Sequence, residues 1–441
     1  MGLGLLGGGI ATTKWLVKHG AKVTVTDLKT KKELAGSIKT LGPVAKKVRL
    51  VLGRHNESDF RSHQIIVVNP AVSKESPFLK IAREAGAQLE NEATLFFNFC
   101  PSPIIAVTGT RGKTTTVNWI HHFLKQKFPR AVLTGNSSDN PMLKALDKLD
   151  GKSPVVVELS SWHLELITAS EKAPNIAVIT NIYPDHLNRY KDITEYAKAK
   201  TNIFKHQTQN DFLILNKKNP WTKFFLKQKP ASKIIFTLSS PLPHLSHFDL
   251  GEHNLENLNS AVLAANLAGV AWPLIKKVIK TLPQIKFRQE IIYKKDNLTI
   301  VNDTTATSPD ATIAALKRFS QQGLTLLLIT GGTDKNLQFE DWAKAVKKYV
   351  KPENLFLLDG SVTKKMLDSL DPKYFKHQRP QLYLDFNTLL TSALKHAKLI
   401  KGKKILLFSP SAASFEKFKN EFDRGEQFNQ FFLSKGGKYA P

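Results

Sequence analysis

The segment Ile104-Ile105-Ala106-Val107-Thr108-Gly109-Thr110-Arg111-Gly112-Lys113-Thr114-Thr115 restricts what this chain can fold into more than any other. An apolar run of one strand's length feeds a glycine-bearing loop that ends in Gly-Lys-Thr, and a stretch of helical pattern follows. A strand that leaves into a helix is the building block of a parallel sheet, because parallel neighbours need a crossover connection. Backbone N–H groups of such a loop, with the positive end of the helix dipole, cradle phosphates. Lys113 then reaches the outer phosphates and Thr114 offers a hydroxyl to Mg²⁺. Gly109, Thr110, Arg111, Gly112, Lys113, Thr114 and Thr115 are the candidate ATP-binding residues. The spacing departs from the general nucleotide-loop pattern, since Val107 stands where its first glycine belongs.

The rest of the chain repeats the theme. Apolar runs ended by Gly, Asn or Asp alternate with amphipathic stretches from end to end, which predicts an α/β protein. A length of 441 residues allows two to four domains, and three blocks separate. Residues 1–99 hold strands at Lys22–Thr26 and Gln64–Val68 and close at the proline-bearing linker Cys100-Pro101-Ser102-Pro103. Residues 100–283 hold strands at Ile104–Val107, Val155–Val157, Ile176–Thr180 and Phe212–Leu215. Residues 284–441 hold strands at Leu298–Val301, Leu324–Ile329, Asn354–Leu358, Gln381–Leu384 and Lys404–Phe408. The expected architecture is a Rossmann-like N-terminal domain, a central P-loop domain with a mainly parallel sheet, and a Rossmann-like C-terminal domain.

Composition removes whole classes. One cysteine, Cys100, rules out an internal disulfide and a thiolate-held zinc or iron–sulfur site. No apolar run reaches membrane-spanning length, and the apolar start Met1–Ala11 lacks a basic n-region, so it reads as folded protein. A cytoplasmic setting is expected. The 64 Lys and Arg against 37 Asp and Glu leave a net charge of +27, which favours anionic partners. These basic residues are scattered, without a basic block or aromatic-interleaved stripe, so they read as a solvated surface that steers anions, with no nucleic-acid or membrane partner.

Two further strand ends in the central block carry polar groups. Val155-Val156-Val157 leads into Glu158-Leu159-Ser160-Ser161-Trp162-His163, and Ile176–Thr180 leads into Asn181-Ile182-Tyr183-Pro184-Asp185-His186. Ligands of open parallel sheets bind beyond the carboxyl ends of the strands, so Lys113, Glu158 and His186 are expected to converge. Glu158 suits Mg²⁺ through oxygen, and His186 is a nitrogen donor for a second cation. Taken singly, Glu158 reads as a surface carboxylate and His186 as a hydrogen-bonded histidine. In the first block, Gly2-Leu3-Gly4-Leu5-Leu6-Gly7 with Asp27 after a strand matches a dinucleotide fingerprint, which alone suggests a nicotinamide-dependent oxidoreductase. That fingerprint needs a strand before its first glycine, and only Met1 precedes Gly2, so the feeding strand is expected to be missing.

The combination of Thr108–Thr115, Glu158-Leu159-Ser160-Ser161, Asp185-His186 with Arg189-Tyr190, and His253-Asn254-Leu255-Glu256-Asn257 resembles the Mur ligase family of ATP-dependent amide-forming enzymes. Asn302-Asp303-Thr304-Thr305-Ala306-Thr307, Gly331-Gly332 with Lys335, and Ser409–Ser414 through Arg424-Gly425 resemble its branch that adds D-glutamate to UDP-N-acetylmuramoyl-L-alanine. The resemblance implies a uridine-nucleotide domain (1–99), an ATPase domain (100–283) and an amino-acid domain (284–441). It implies that ATP phosphorylates the alanine carboxylate and that the amine of D-glutamate attacks the acyl phosphate. Implied metal ligands are Thr114, Glu158, His186 and Lys200 for two Mg²⁺ ions, with Lys200 carbamylated, and the catalytic set is Lys113, Glu158, His186 and Lys200. Asn257, Arg288 and Asp303 are implied on ATP. Gly4, Leu5, Leu6, Asp27, Asn69, Asn136, Ser160 and His163 are implied on the nucleotide substrate, and Thr305, Thr307, Lys335, Ser414 and Phe422 on D-glutamate. Departures are Thr305 where a lysine is common, His163 where glutamine is common, Ser137-Ser138 after Asn136, and the order Glu421-Phe422. A monomer acting on small molecules is expected. The alternatives are another amide ligase of the same superfamily with a different acceptor, or a basic nucleic-acid-binding P-loop ATPase.

Overall fold

The computed structural model describes the chain apart from Leu6, residues 136–139, Asn188 and residues 238–249, 321–322, 377–381 and 435–441. Two compact units divide it: Met1–His244 with Glu256–Leu282, and Leu245–Leu255 with Pro283–Pro441.

The first unit opens with two parallel strand pairs, β1 (Thr24–Asp27) with β2 (Arg49–Leu52) and β3 (Ile65–Val67) with β4 (Gln88–Glu90). No strand precedes Gly2, as expected, yet its place is filled. The Met1 ammonium donates to Val67 O (2.8 Å), Gly2 N–H to Thr26 O (2.7 Å), and Asn69 N–H to Met1 O (2.9 Å), so residues 1–2 bridge β1 and β3. Burial lowers the affinity of this amine for its proton, to about 6.

The same unit then builds a six-stranded parallel sheet from β5 (Ile104–Thr108), β6 (Val132–Gly135), β7 (Val155–Glu158), β8 (Ile176–Ile179), β9 (Phe212–Leu215) and β10 (Lys233–Phe236), in the order β10-β9-β8-β5-β7-β6. Every residue of β5, β7 and β8 is buried, which is why these strands are unbroken β-branched and aliphatic runs. The chain leaves β5 toward one edge of the sheet and crosses to the other side at β8, so the order reverses at β5 and a crevice opens at its carboxyl end. The expected linker is packed in place: Cys100 is buried, and Pro103 O accepts the Val155 N–H (2.9 Å).

In the second unit β11 (Glu290–Lys295) pairs antiparallel with β12 (Leu298–Asn302), and β13 (Thr325–Gly331), β14 (Leu355–Leu358), β15 (Leu382–Tyr383) and β16 (Lys404–Phe408) complete a sheet in the order β11-β12-β16-β13-β14-β15. Its strands alternate faces with period two. Leu326, Leu328, Leu355, Leu357, Ile405 and Leu407 face one apolar layer with Leu316, Trp342 and Val346. Leu327, Ile329, Phe356, Leu358, Leu406 and Phe408 face the other with Leu390, Phe428 and Phe432.

Candidate functional site

The phosphate loop leaves β5 under tight steric control. Gly109 has φ +144° and a side chain there would run into Thr180 Oγ1; Gly112 has φ +82° and a Cβ would meet Asn257 Oδ1 at 2.1 Å. Both positions demand glycine. The loop is pinned to the end of β8: Thr110 N–H donates to Asn181 O (2.9 Å), Arg111 N–H to Asn181 Oδ1 (2.9 Å), and Thr180 Oγ1 to Arg111 O (2.7 Å). Gly112 caps the helix Lys113–Lys125. Lys113 folds back over the loop, its Nζ donating to Gly109 O (3.0 Å) and Thr110 O (3.1 Å).

Lys200 is the hub of the cluster. It lies on the inward face of the helix Ile193–Thr201, only 1% exposed, with Nζ donating to Gly109 O (3.1 Å) and Thr108 Oγ1 (3.3 Å) and sitting over the Tyr196 ring. Burial holds its amine well below the ordinary lysine range, and the positive charge of Lys113 pushes the same way; Asp185 and Glu158 oppose. Lys113, Arg111, Asp185 and Glu158 therefore all face one buried amine. Glu158 ends β7 and is buried beside Val107 of β5. Asp185 accepts from Arg111 Nη1 (2.7 Å), and its neighbour His186 adopts φ +54° with its ring against Trp162 and Tyr196. Lys113, Glu158 and Asp185, the neighbour of His186, all act on the Lys200 amine, and Asn257 lies against Gly112.

Ser160 and His163 close a capping box on the short helix Ser161–Leu164. Ser160 Oγ accepts the His163 N–H (3.2 Å) and lies 3.0 Å from His163 Nδ1, and burial alone lowers the imidazole to about 4, so it is neutral. At the N-terminus, Gly4 N–H donates to Asp27 Oδ2 (3.0 Å) and Lys29 N–H to Asp27 Oδ1 (2.9 Å), while the Asn69 side chain lies beside Gly4. Leu5 is exposed at this turn. Leu6 and Asn136 lie outside the described residues.

In the second unit a different cluster gathers where β12 and β16 end. Asp303 is buried, accepts from Gln289 N–H (3.1 Å) and Ser409 Oγ (2.9 Å), and is pushed up to about 7 by burial against the opposing pull of those bonds and of Arg288. Thr305 donates its hydroxyl to Phe287 O (2.8 Å), and Thr307 N–H donates to Thr305 O (2.9 Å). Ser414 is buried and its hydroxyl has no hydrogen-bond partner among the described residues. Phe422 is half exposed with its ring 6.3 Å from Phe287, and Lys335 is exposed.

Comparison with known proteins follows the same division. The Mur ligase middle-domain model matches residues 107–242, and the Mur ligase MurD-like N-terminal-domain model matches residues 1–90. A UDP-N-acetylmuramoylalanine–D-glutamate ligase of Roseiflexus sp. (strain RS-1) is 36% identical, covering 98% of this chain and 97% of its own. The chain belongs to the Mur ligase family. A second UDP-N-acetylmuramoylalanine–D-glutamate ligase, from Borreliella afzelii, is also 36% identical over 98% of this chain and 96% of its own. Among solved structures, a MurF ligase of Thermotoga maritima in complex with ADP aligns with TM-score 0.60 at 14% identity, over 94% of this chain and 96% of that one. A pseudomurein peptide ligase type C of Methanothermus fervidus aligns with TM-score 0.55 at 17% identity over 97% of both. At that distance the likeness is one of fold.

This Mur ligase also uses residues that motif reading did not put on the site. Asn181 and Thr180 tie the loop to β8. Arg424, fully buried, donates to Thr304 Oγ1 (3.0 Å), Thr304 O (2.8 Å), Ala413 O (3.1 Å) and Ala412 O (3.2 Å). It stitches the segment after β12 to the segment after β16, which carry Thr305 and Ser414. Burial lowers its proton affinity to about 9, leaving a cation at neutral pH. A deeply buried arginine looks like any helical arginine in the sequence; only its place after a Ser-Pro-Ser-Ala-Ala-Ser strand end hinted at a role.

Proposed function

We propose that this chain joins D-glutamate to UDP-N-acetylmuramoyl-L-alanine at the expense of ATP, a step of peptidoglycan precursor synthesis carried out in the cytoplasm by a monomer. The observation that carries the reading is 36% identity across 98% of the chain with a ligase whose name states this pair of substrates. Function divides over three stretches in this reading: residues 1–99 take the uridine nucleotide, 100–283 take ATP and 284–441 take the amino acid.

The loop Gly109–Thr115 holds the phosphates through N–H groups other than those of Thr110 and Arg111, which are spent on Asn181. Lys113 exchanges its two backbone carbonyls for phosphate oxygens, and because those carbonyls already hold the side chain over the loop, little rotamer freedom is lost on binding. Asn257, Arg288 and Asp303 contact the nucleotide. The terminal phosphoryl group passes to the alanine carboxylate, giving an acyl phosphate and ADP. The amine of D-glutamate then attacks the carbonyl carbon, and the tetrahedral adduct expels phosphate as the amide forms. Phosphorylation matters because a carboxylate oxygen is a poor leaving group and phosphate is a good one; positive groups around the transferring phosphoryl offset its gathering charge.

The donor set suits Mg²⁺. Mg²⁺ prefers oxygen donors and keeps part of its water shell, with substrate phosphates supplying further oxygens. Thr114 and Glu158 would hold one ion, and His186 with a carbamylated Lys200 the second; the ions supply charge neutralisation on phosphate oxygens. Lys200 is chemically prepared for that change, because carbamylation by CO₂ needs the neutral amine and burial favours it. Asp27, Gly4, Leu5, Leu6, Asn69, Asn136, Ser160 and His163 receive the uridine nucleotide. Lys335, Thr307, Ser414, Phe422 and Thr305 receive D-glutamate, whose two carboxylates need a cation and hydroxyl or N–H donors.

The test is phosphate release by the purified protein with a panel of nucleotide and amino-acid pairs. Turnover should require UDP-N-acetylmuramoyl-L-alanine and D-glutamate together. Better use of L-glutamate or D-alanine would overturn the acceptor assignment, and turnover driven by DNA, falling steeply with salt, would overturn the class.

A further inference from the structure

We infer that the buried Glu92 carboxylate is a positioning residue for the nucleotide substrate: it holds the glycine turn at the start of the helix Gly8–Lys18 against the start of the helix Met142–Ala145, and so sets the spacing of two substrate-facing segments. The inference rests on the reading above that Gly4 and Asn136 contact the uridine nucleotide.

Glu92 is the first residue of the helix Glu92–Phe99 and is not needed to cap it. Asn91 and Thr94 already form a reciprocal capping box there. The carboxylate instead turns inward, 8% exposed, where Oε1 accepts the Leu143 N–H (3.3 Å) and the Met142 N–H also reaches the group. Oε2 lies 3.2 Å from the point where a Cβ on Gly8 would sit. The carboxylate thus fills the space that a side chain at position 8 would need. Among the described residues it makes no ion pair, and burial pushes it up to about 7. A carboxylate kept in such a place without a cation costs stability, and costly buried ionisable groups concentrate where function requires them.

Both contacts lead mechanically to the substrate side. Gly9, next to Gly8, packs so closely on Leu3 that a Cβ there would meet Leu3 O at 2.3 Å, and Leu3 precedes Gly4, which donates to Asp27. Met142 follows Asn140 and Pro141, and Asn140 O accepts from Gly135 N–H (3.2 Å) and Thr134 Oγ1 (2.8 Å) at the end of β6, one residue before Asn136. A shift at Glu92 therefore moves Gly4 through Gly9 and Leu3, and moves the end of β6 through Asn140.

The test uses Glu92→Gln and Gly8→Ala in the full-length enzyme. Glu92→Gln keeps the volume and removes the charge. Gly8→Ala keeps Glu92 and forces its carboxylate aside by a few tenths of an ångström, at a helical position that tolerates alanine. Each variant should raise the KM for UDP-N-acetylmuramoyl-L-alanine, about ten-fold for Glu92→Gln and less for Gly8→Ala, with kcat and the KM values for ATP and D-glutamate changed less than about two-fold. UDP itself, titrated calorimetrically without ATP, should bind correspondingly more weakly. An unchanged UDP affinity in either folded variant, or equal rises in all three KM values, overturns the inference. If Glu92→Gln does not fold, Gly8→Ala decides alone. Failure of the wild type to turn over this nucleotide would count against the proposed function, while the UDP titrations still judge Glu92.

Discussion

Replacing Asp303 by asparagine separates what this carboxylate costs from what it does. Burial lifts it from an ordinary 3.8 to about 7. Below its unfolded pKa both states are protonated and the group is neutral to stability. As pH rises from about 4 to about 7 the unfolded chain loses the proton that the folded chain keeps, so folding stability falls through that window and the loss is complete above it. At about 1.4 kcal/mol for each tenfold change, the ionised group costs on the order of 4 kcal/mol at pH 8. Asparagine keeps the hydrogen bonds: its Oδ1 still accepts from Gln289 N–H, and its amide can donate to Ser409 Oγ, which has Thr312 Oγ1 at 2.8 Å for its own proton. Asp303→Asn should therefore gain about 2–4 kcal/mol at pH 8 and close to nothing near pH 4.5, while ATP turnover drops steeply through loss of the charge beside Arg288. Urea unfolding at the two pH values, followed by circular dichroism, measures the first part and phosphate release the second. A variant less stable at pH 8, or equally changed at both pH values, would refute the argument.

Four further outcomes follow from the two clusters. Lys113→Ala should abolish ATP turnover and leave the urea midpoint nearly unchanged, because its ammonium lies over the phosphate loop at Gly109 O and Thr110 O and the side chain belongs to no apolar cluster of the described residues. Lys200→Ala should lose activity and regain part of it with formate or acetate, whose oxygens can replace those of a carbamate; full activity without rescue would remove the carbamate from the scheme. Arg424→Lys should destabilise by about 2–4 kcal/mol in urea unfolding and raise the KM for D-glutamate, since an ammonium supplies three donors from one point where the guanidinium serves four acceptors on two segments. Thr305→Lys should lower the KM for D-glutamate, as the threonine hydroxyl is spent on Phe287 O and a lysine would bring a cation to a dicarboxylate; a rise in KM would place the acceptor elsewhere.

The strands that form the middle of each sheet were legible because burial on both faces demands unbroken apolar runs. Phe212–Leu215 and Lys404–Phe408 fall where the pattern puts them, and the strands after Ile104, Val155 and Ile176 end within a residue or so of expectation. Those overlooked are short or lie at edges. Lys233–Phe236 has no buried residue, Glu290–Lys295 carries exposed lysines on the outer strand of its sheet, and Gln88–Glu90 is three residues long. Half-exposed strands lack the pattern that marks them. The first strand is absent as expected, and Met1 and Gly2 satisfy the backbone hydrogen bonds of its place without forming a strand.

The candidate site was legible where chemistry needs a particular residue at a particular spacing and illegible where it needs a position. Lys200 lies between these cases. In isolation it is one lysine in Tyr196-Ala197-Lys198-Ala199-Lys200, and the resemblance to the family was what singled it out. The helix offers its own signal: Tyr196, Ala197 and Lys200 are buried while Lys198 is exposed, so the apolar face at i, i+1 and i+4 ends on a charged residue. A lysine at that register must either snorkel outward or find acceptors inside, and the carboxyl end of β5 supplies two in Gly109 O and Thr108 Oγ1. The same logic separates Arg424 from the exposed arginines. Buried cations on an apolar helix face are the positions at which sequence pattern and chemistry disagree, and in this chain one such disagreement falls in each unit's cluster.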